Sequence, residues 1–359
     1  MTEAALVLGK FYPPHAGHLN LLRAALAARA SVVVLCLGGG GDSLRPQARL
    51  SALLEDAAAA GLDAHRIVGR SGFDEAPFDL GDEAVWRSHV GMFSAHLRQA
   101  PVVDLLVTSE RYGEHLASYL GVEHLLVDVD RIRVPVSATL VRADPIAAWS
   151  SLGPGTRRML AARVVIVGAE STGTTTIARL LAERLRRRGG PWAQVQWVEE
   201  YGHRLTEMKQ DRVEELTGVR PLSVEWTAAD FVEVVQRQCA AEEDAAGCGG
   251  PILVCDTDAF ATPVWERRYR GRAARLDPSS LGRGDVYLLT HHEDVPFVQD
   301  GTRDGEAIRT TMTTQFEDAL VAGQRPWAML TGSLEQRLNL AERIADQVLL
   351  RKLSLVDPA

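Results

Sequence analysis

The sequence predicts an α/β chain of two parallel-sheet domains, residues 1–155 and 156–359. Three observations predict it. Apolar runs of strand length alternate with helical patterns along the whole chain, the signature of parallel sheets covered by helices. Twice a strand runs directly into a glycine-rich turn and a helix, at GKFYPPHAGH from Gly9 and at GAESTGTT from Gly168. Between them, SSLGPGTRR (150–158) sets a proline between two glycines and reads as a linker, after which the pattern restarts.

In the first domain, AALVLG (4–9) leads to a helix over 17–29, then SVVVLCLG (31–38). A helix over 46–60, HRIVG (65–69), a helix over 81–99 and VDLLVTS (103–109) follow. A short helix over 112–120 and HLLVDVD (124–130) complete it. In the second domain the strands are RVVIVG (163–168), AQVQWVEE (193–200), PILVCDTD (251–258), DVYLLT (285–290) and PWAMLTG (326–332). In such sheets ligands bind beyond the carboxyl ends of the strands, where both glycine-rich turns lie.

Composition narrows the function. Of 359 residues, 46% are hydrophobic and 24% charged, as in a well-cored globular protein, and the net charge of −8 argues against nucleic acid as a main partner. Lys10, Lys209 and Lys352 are the only lysines, a skew towards arginine that reads as genomic composition bias. The four cysteines form no C-x-x-C pair, and Cys36 and Cys255 lie in apolar runs as buried thiols. No leader-like segment and no apolar run of about 18 residues occurs, so a cytoplasmic protein without membrane insertion is expected. A homo-oligomer is compatible with the sequence.

A strand that turns sharply into a helix offers free backbone N–H groups and the positive end of the helix dipole, which together bind anions. Gly9 lets the chain leave the strand, and Pro13 and Pro14 stiffen the turn. Gly17 permits a phosphate to approach the backbone. His15 and His18, three apart, fall on neighbouring faces of the first helical turn, and with Lys10 they can surround a polyphosphate.

GKFYPPHAGH resembles the G-x-F-x-P-x-H-x-G-H signature of the nucleotidyltransferase superfamily, through Gly9, Phe11, Pro13, His15, Gly17 and His18. VPVSATLVRADP matches that family's second motif, [ST]-x-T-x-x-R, through Ser137, Thr139 and Arg142. The resemblance implies a Rossmann-like domain in which His15, His18 and Arg142 hold ATP phosphates. TSERYG resembles the pocket of nicotinamide mononucleotide adenylyltransferases, which implies that Thr108, Ser109, Glu110 and Tyr112 line the acceptor site. Trp86 is either a platform for a pyridinium ring or a core residue of its helix. Arg45 and Arg49 either contact phosphate or start a solvated helix.

GAESTGTT sits in the context of a Walker A loop, G-x-x-x-x-G-K-[ST], between a strand and a helix. Gly168, Ser171, Thr172, Gly173, Thr175 and Thr176 can cradle phosphates, with Thr175 as the magnesium hydroxyl. Thr174 stands where the lysine belongs, so an arginine substitutes or transfer is weak. Asp256 and Asp258 end a strand in the place of a Walker B carboxylate, with Asp256 the metal ligand. Glu199 and Glu200 end another strand, Glu199 and Asp230 are acids placed for substrate, and a carboxylate among Asp256, Asp258 and Glu199 is the candidate catalytic base; VPFVQDGTRDGEAIR resembles a kinase lid that would close with Arg303 and Arg309.

The pairing of the two domains resembles the NadR-type bifunctional family. That resemblance implies an adenylyltransferase in front, joining nicotinamide mononucleotide to AMP from ATP, and a magnesium-dependent ribosylnicotinamide kinase behind. The substrates would be nicotinamide mononucleotide, nicotinamide riboside and ATP. Some members begin with a helix-turn-helix repressor domain; this chain opens on the first strand, so that function is not expected. Two rivals remain. A pantetheine-phosphate adenylyltransferase fused to a dephospho-CoA kinase shares the domain order, and TSERYG stands against it. A rear domain that senses nucleotide without transferring phosphate would explain Thr174.

Overall fold

The computed structural model describes residues 3–77, 79, 81–271, 282–293, 295–296 and 308–355. It divides into two compact units, Met1–Leu160 with Leu353–Ala359, and Ala161–Lys352.

The first unit runs β1 (Ala4–Gly9), α1 (Ala16–Ala28), β2 (Ser31–Gly38), α2 (Pro46–Ala59), β3 (Ile67–Phe73), α3 (Glu83–Leu97), β4 (Val103–Thr108), α4 (Gly113–Leu120) and β5 (Glu123–Leu126). Its sheet is all parallel in the order β3-β2-β1-β4-β5. Strands buried on both faces read as unbroken apolar runs, as β1 and β2 do. Ala5 and Val7 of β1 pack with Leu22 of α1 and Leu53 of α2 on one face. Ala4 and Leu6 pack with Phe93 of α3 and Leu116 of α4 on the other. The order reverses between β1 and β4, so the loops after these two strands open onto one crevice. β5 ends earlier than 130, because Asp128 adopts φ +51° and its carboxylate accepts the N–H groups of Arg133 and Val134. That turn carries the chain into α5 (Ala138–Ala143).

The expected linker is folded. Residues 154–160 form α6 (Pro154–Leu160), and Trp149 before it is buried. The carboxylate of Asp56, on α2, accepts from Gly155 N (2.7 Å), Thr156 N (3.2 Å) and Thr156 Oγ1 (2.6 Å), all buried. Gly-Pro-Gly here starts a helix anchored on α2, so the first unit continues to Leu160 and not to 155. Asp56→Ala is expected to destabilise this unit by about 2–4 kcal/mol, since three buried donors lose their acceptor. A lowered urea midpoint checks this; an unchanged midpoint would mean that Asp56 does not anchor α6.

The second unit runs β6 (Ala162–Gly168), α7 (Thr174–Arg186), β7 (Gln196–Val198), α8 (Tyr201–Thr217), α9 (Ala228–Cys248), β8 (Ile252–Asp256), α10 (Thr262–Arg270), β9 (Val286–Thr290), α11 (Arg309–Ala322), β10 (Trp327–Leu330) and α12 (Leu334–Leu353). Its sheet is also all parallel, in the order β10-β9-β6-β8-β7, with β6 at the centre. The ends of β6, β8 and β7 therefore lie side by side, carrying the Gly168 loop, Asp256 and Glu199. Cys36 and Cys255 are buried free thiols, as expected. Among the described residues no helix is long and apolar enough to cross a membrane.

Candidate active sites

In the first unit the chain leaves β1 through Lys10–Pro14 and enters α1 with His15 as its N-cap. The His15 Nδ1 accepts from Gly17 N, and the His18 Nδ1 accepts from His15 N, both at 3.1 Å. The two imidazoles thus form a reciprocal cap and stack, centroids 3.7 Å apart. A Cβ at Gly17 would stand 2.9 Å from the His15 ring, so the glycine makes room for that ring folded back over the helix start. This differs from the expected role of admitting phosphate to the backbone.

Burial, with the charge of Arg131 second, pushes the His15 imidazole down to about 4. Burial, then His15, holds His18 well below the ordinary imidazole value. Both rings are therefore neutral at pH 7. With each Nδ1 accepting a backbone N–H, each neutral ring carries its proton on Nε2. The site holds two fixed neutral donors.

The distant motif meets this loop. Ser137 caps α5 by accepting from Leu140 N, and Ser137 and Thr139 line a cavity of about 180 Å³ with His15 and His18. Arg142 donates from Nη1 to the carbonyl of Tyr12 (2.9 Å) and from Nη2 to Thr139 Oγ1 (3.3 Å). It clamps the histidine loop to α5. Ser109 and Glu110 line the same cavity, and Glu110 pairs with Arg131 at 2.8 Å. Sequence reasoning missed Arg131, Asn20 and Asp128, which also line it. The signal for Arg131 was its place five residues before Val136 on the approach to the second motif.

Other expected residues serve the fold. Trp86 is 6% exposed, stacked on Tyr119 and met edge-on by His115, so it is a core residue between α3 and α4. Tyr112 packs against the same core, and burial raises its hydroxyl. Thr108 is buried, donates to the carbonyl of Glu110 and contacts His124 Nε2 at 2.8 Å. Arg49 is fully buried: Nη1 donates to the carbonyl of Lys10 (2.7 Å) and Nη2 pairs with Asp42 (2.8 Å). It shapes the loop that carries the histidines, with its guanidinium 5.0 Å from the Tyr12 ring centre.

In the second unit the loop after β6 enters α7 through Gly173, whose φ of +89° lies in the left-handed region that side chains avoid. The first N–H groups of α7 are thereby presented to a cavity of about 800 Å³. Gly168, Ser171, Thr174, Thr175 and Thr176 line it. Thr172 does not: its buried hydroxyl donates to the carbonyl of Ala169 (2.7 Å) and meets Thr290 Oγ1 (2.6 Å), bracing the loop from below.

Asp256, at the end of β8, is 2% exposed, and its Oδ1 is buried without a hydrogen-bond partner. Burial pushes its carboxyl up to about 6, and the hydroxyls of Thr175 and Thr174 facing it restrain the rise. An orphaned carboxylate oxygen beside a threonine at a helix start is the donor set a magnesium ion accepts. Asp258 is placed differently. Its Oδ1 caps Phe260 N (3.0 Å) and its Oδ2 accepts from Tyr287 Oη (2.8 Å). Both oxygens are engaged in holding the turn, against the expected catalytic role. Burial pushes Asp258 and its neighbour Glu242 up, and Asp258's charge adds to the rise at Glu242.

Glu199 lines the cavity. Asp230 is instead the N3 partner of Thr227 in the capping box of α9 and pairs with Lys209 at 2.6 Å. Arg309 is 7% exposed, and its Nη2 donates to the carbonyls of Ser171, His292 and Val295. It braces the glycine loop, where a phosphate clamp was expected. Arg303 lies outside the described residues. A stacked set of three aromatic side chains also lines the cavity, which sequence reasoning missed. Trp226 stacks on Tyr269 (5.6 Å), Tyr269 on Trp265 (6.2 Å), and Lys209 Nζ lies 5.3 Å from the Trp226 ring centre. The signal was Trp265 and Tyr269, four apart on one helix face.

Comparison with known proteins bears on the fold and on what the chain resembles. The AAA domain family model matches residues 163–337. The trifunctional NAD biosynthesis/regulator protein NadR of Escherichia coli (strain K12) is 25% identical over 322 residues, 83% of this chain and 71% of that protein. Its counterpart in Salmonella typhimurium (strain LT2) is 24% identical over the same shares. A crystal structure of NadR protein in complex with NAD and AMP-PNP superposes with a TM-score of 0.65 at 19% identity, covering 97% of this chain and 96% of that one. A second, in complex with NR, gives 0.61 at 20% identity over 96% of each chain. Along most of its length the chain is thus similar to NadR-type proteins, and it shares their fold through both units.

Proposed function

We propose that the protein is an enzyme of NAD biosynthesis. Its front unit transfers AMP from ATP to nicotinamide mononucleotide, giving NAD and pyrophosphate. Its rear unit phosphorylates nicotinamide riboside with ATP. The observation that carries the front reading is the meeting of His15, His18, Ser137 and Thr139 around one cavity. Adenylyl transfer is an in-line displacement that needs positioning and charge stabilisation more than covalent help. The Nε2–H groups of His15 and His18 donate to phosphate oxygens as charge builds on the leaving pyrophosphate. Arg142 keeps their loop in register.

For the rear unit, support comes from a cavity lined both by a phosphate cradle and by the stacked Trp226, Tyr269 and Trp265, which suit a flat, cationic pyridine ring. A carboxylate among Asp256 and Glu199 orients the ribose hydroxyl and takes its proton. Magnesium, held by Thr175 and Asp256, would supply charge shielding at the phosphates. Thr174 favours one other reading, a rear unit that binds nucleotide and only regulates the front one. Product analysis with ATP, magnesium and nicotinamide riboside separates them. Appearance of the mononucleotide with ADP, then of NAD with pyrophosphate, supports both activities. Conversion of supplied mononucleotide alone would leave the regulatory reading, and adenylation of phosphopantetheine in its place would sink the proposal.

A further inference from the structure

The glycine loop lacks the fixed charge that its fold normally sets against the β- and γ-phosphates, and the cavity it faces is strongly acidic. Glu170, Glu199, Glu200, Glu207, Asp256 and Asp258 line it. A triphosphate entering among six carboxylates needs a compensating cation in a medium less polar than water. Among the described lining residues only His203 and Arg204 can carry positive charge, and only an arginine is charged at every working pH.

The other arginines near the loop are placed wrongly. Arg309 donates to the carbonyl of Ser171 at 3.2 Å. Arg337, 2% exposed, donates to the carbonyls of Thr172, His291 and Glu293. A phosphate-cradling loop turns its N–H groups to the ligand and its carbonyls away. Guanidinium groups bonded to those carbonyls therefore sit behind the loop, and neither lines the cavity. Arg204 stands in the first turn of α8, directly after β7, whose neighbour β8 ends in Asp256. The adjacent His203 lies near enough for its charge to bear on the Asp256 carboxylate. His203 thus bears on the carboxylate which Thr174 and Thr175 also face, and Arg204, exposed in the same turn, lines the same cavity.

We propose that Arg204 is the catalytic cation of the rear site, contacting the β- and γ-phosphates of bound nucleotide in place of the P-loop lysine. The inference rests on the reading of this unit as a kinase for nicotinamide riboside. In that reaction the ribose hydroxyl oxygen bonds to the γ-phosphorus while the bond from that phosphorus to the β–γ bridging oxygen breaks. ADP leaves with the electron pair, and the hydroxyl proton passes to a cavity carboxylate. Arg204 balances the charge that grows on the ADP oxygens.

The test titrates the full chain with magnesium AMP-PNP by calorimetry and measures riboside phosphorylation in parallel. The proteins are the wild type, Arg204→Ala, Arg204→Lys, and Arg204→Ala combined with Thr174→Lys. Arg204→Ala is expected to weaken AMP-PNP binding by roughly tenfold or more and slow phosphorylation by about 100-fold. Arg204→Lys should recover part of both, and Thr174→Lys should restore binding in the Arg204→Ala background, because it returns the charge from the loop side. AMP-PNP binding by Arg204→Ala within about threefold of wild type would overturn the proposal, as would failure of Thr174→Lys to rescue a folded double variant. If wild type binds AMP-PNP and phosphorylates nothing, while Arg204→Ala still loses binding, the cation stands and the kinase reading falls.

Discussion

His18→Asn is expected to lower kcat for NAD formation by about 100- to 1,000-fold while leaving the thermal stability of the front unit within about 1 kcal/mol of wild type. The substitution separates two roles that one ring performs. The His18 Nδ1 accepts from the His15 N–H and completes the cap of α1. An asparagine carbonyl oxygen can take over that acceptor, as asparagine does at helix starts generally. What asparagine cannot place is the Nε2–H donor, which leaves the ring on the far side, towards the cavity shared with Ser137 and Thr139. His18→Ala, by contrast, loses donor and cap together and should cost about 1 kcal/mol more in stability. Phosphorylation of nicotinamide riboside, measured in the same preparations, should be unchanged in both variants. Retained NAD synthesis in His18→Asn would mean that the rings only cap the helix.

How much of this was legible beforehand differs between the units. The strands, their order of appearance and both glycine-rich turns follow from local pattern, because a strand buried on two faces must be apolar throughout. The histidine loop was legible for the same reason: Gly9 to His18 is one continuous stretch, and its geometry is set by near neighbours. The partner motif could be aligned by Ser137, Thr139 and Arg142, and the structure brings it to the loop. What sequence could not give is which polar side chains are turned inward. Asp230 and Asp258 look like site acids because they end strands or begin helices. Those positions also demand caps, and the backbone N–H groups nearby claimed them. Trp86 had two readings, and only the packing of α3 on α4 chose the core. Arg309 and Arg337 were drawn behind the glycine loop by carbonyls from several segments, contacts spread over more than 100 residues of sequence. The aromatic wall is assembled from Trp226 before α9 and Trp265 and Tyr269 on α10, elements that no local pattern joins.

Asp256→Asn should produce the second large effect, and in two opposite directions. Riboside phosphorylation is expected to fall by at least about 100-fold, since the carboxylate that would hold magnesium is gone. Stability should rise at the same time, most of all at neutral and alkaline pH. Burial holds the folded carboxyl at about 6, against an ordinary value of 3.8, with Glu199 adding to the rise and His203, Thr174 and Thr175 opposing it. A raised folded value means that the folded state binds the proton more tightly than the unfolded chain. The contribution is fully present below about pH 4 and is lost as pH climbs through 6. At pH 8 the ionised, buried carboxylate therefore costs about 2–3 kcal/mol, and an amide of the same shape removes that cost. Urea unfolding of the full chain at pH 4.5 and pH 8 reads the difference: a higher midpoint for Asp256→Asn at the alkaline end, and a gain only about one third as large at the acid end. Equal midpoints at both would show Asp256 to be solvated, and a solvated carboxylate would not be the buried ligand this site requires. A gain at pH 8 with loss of turnover, by contrast, is the pattern of a group kept for chemistry at the expense of stability.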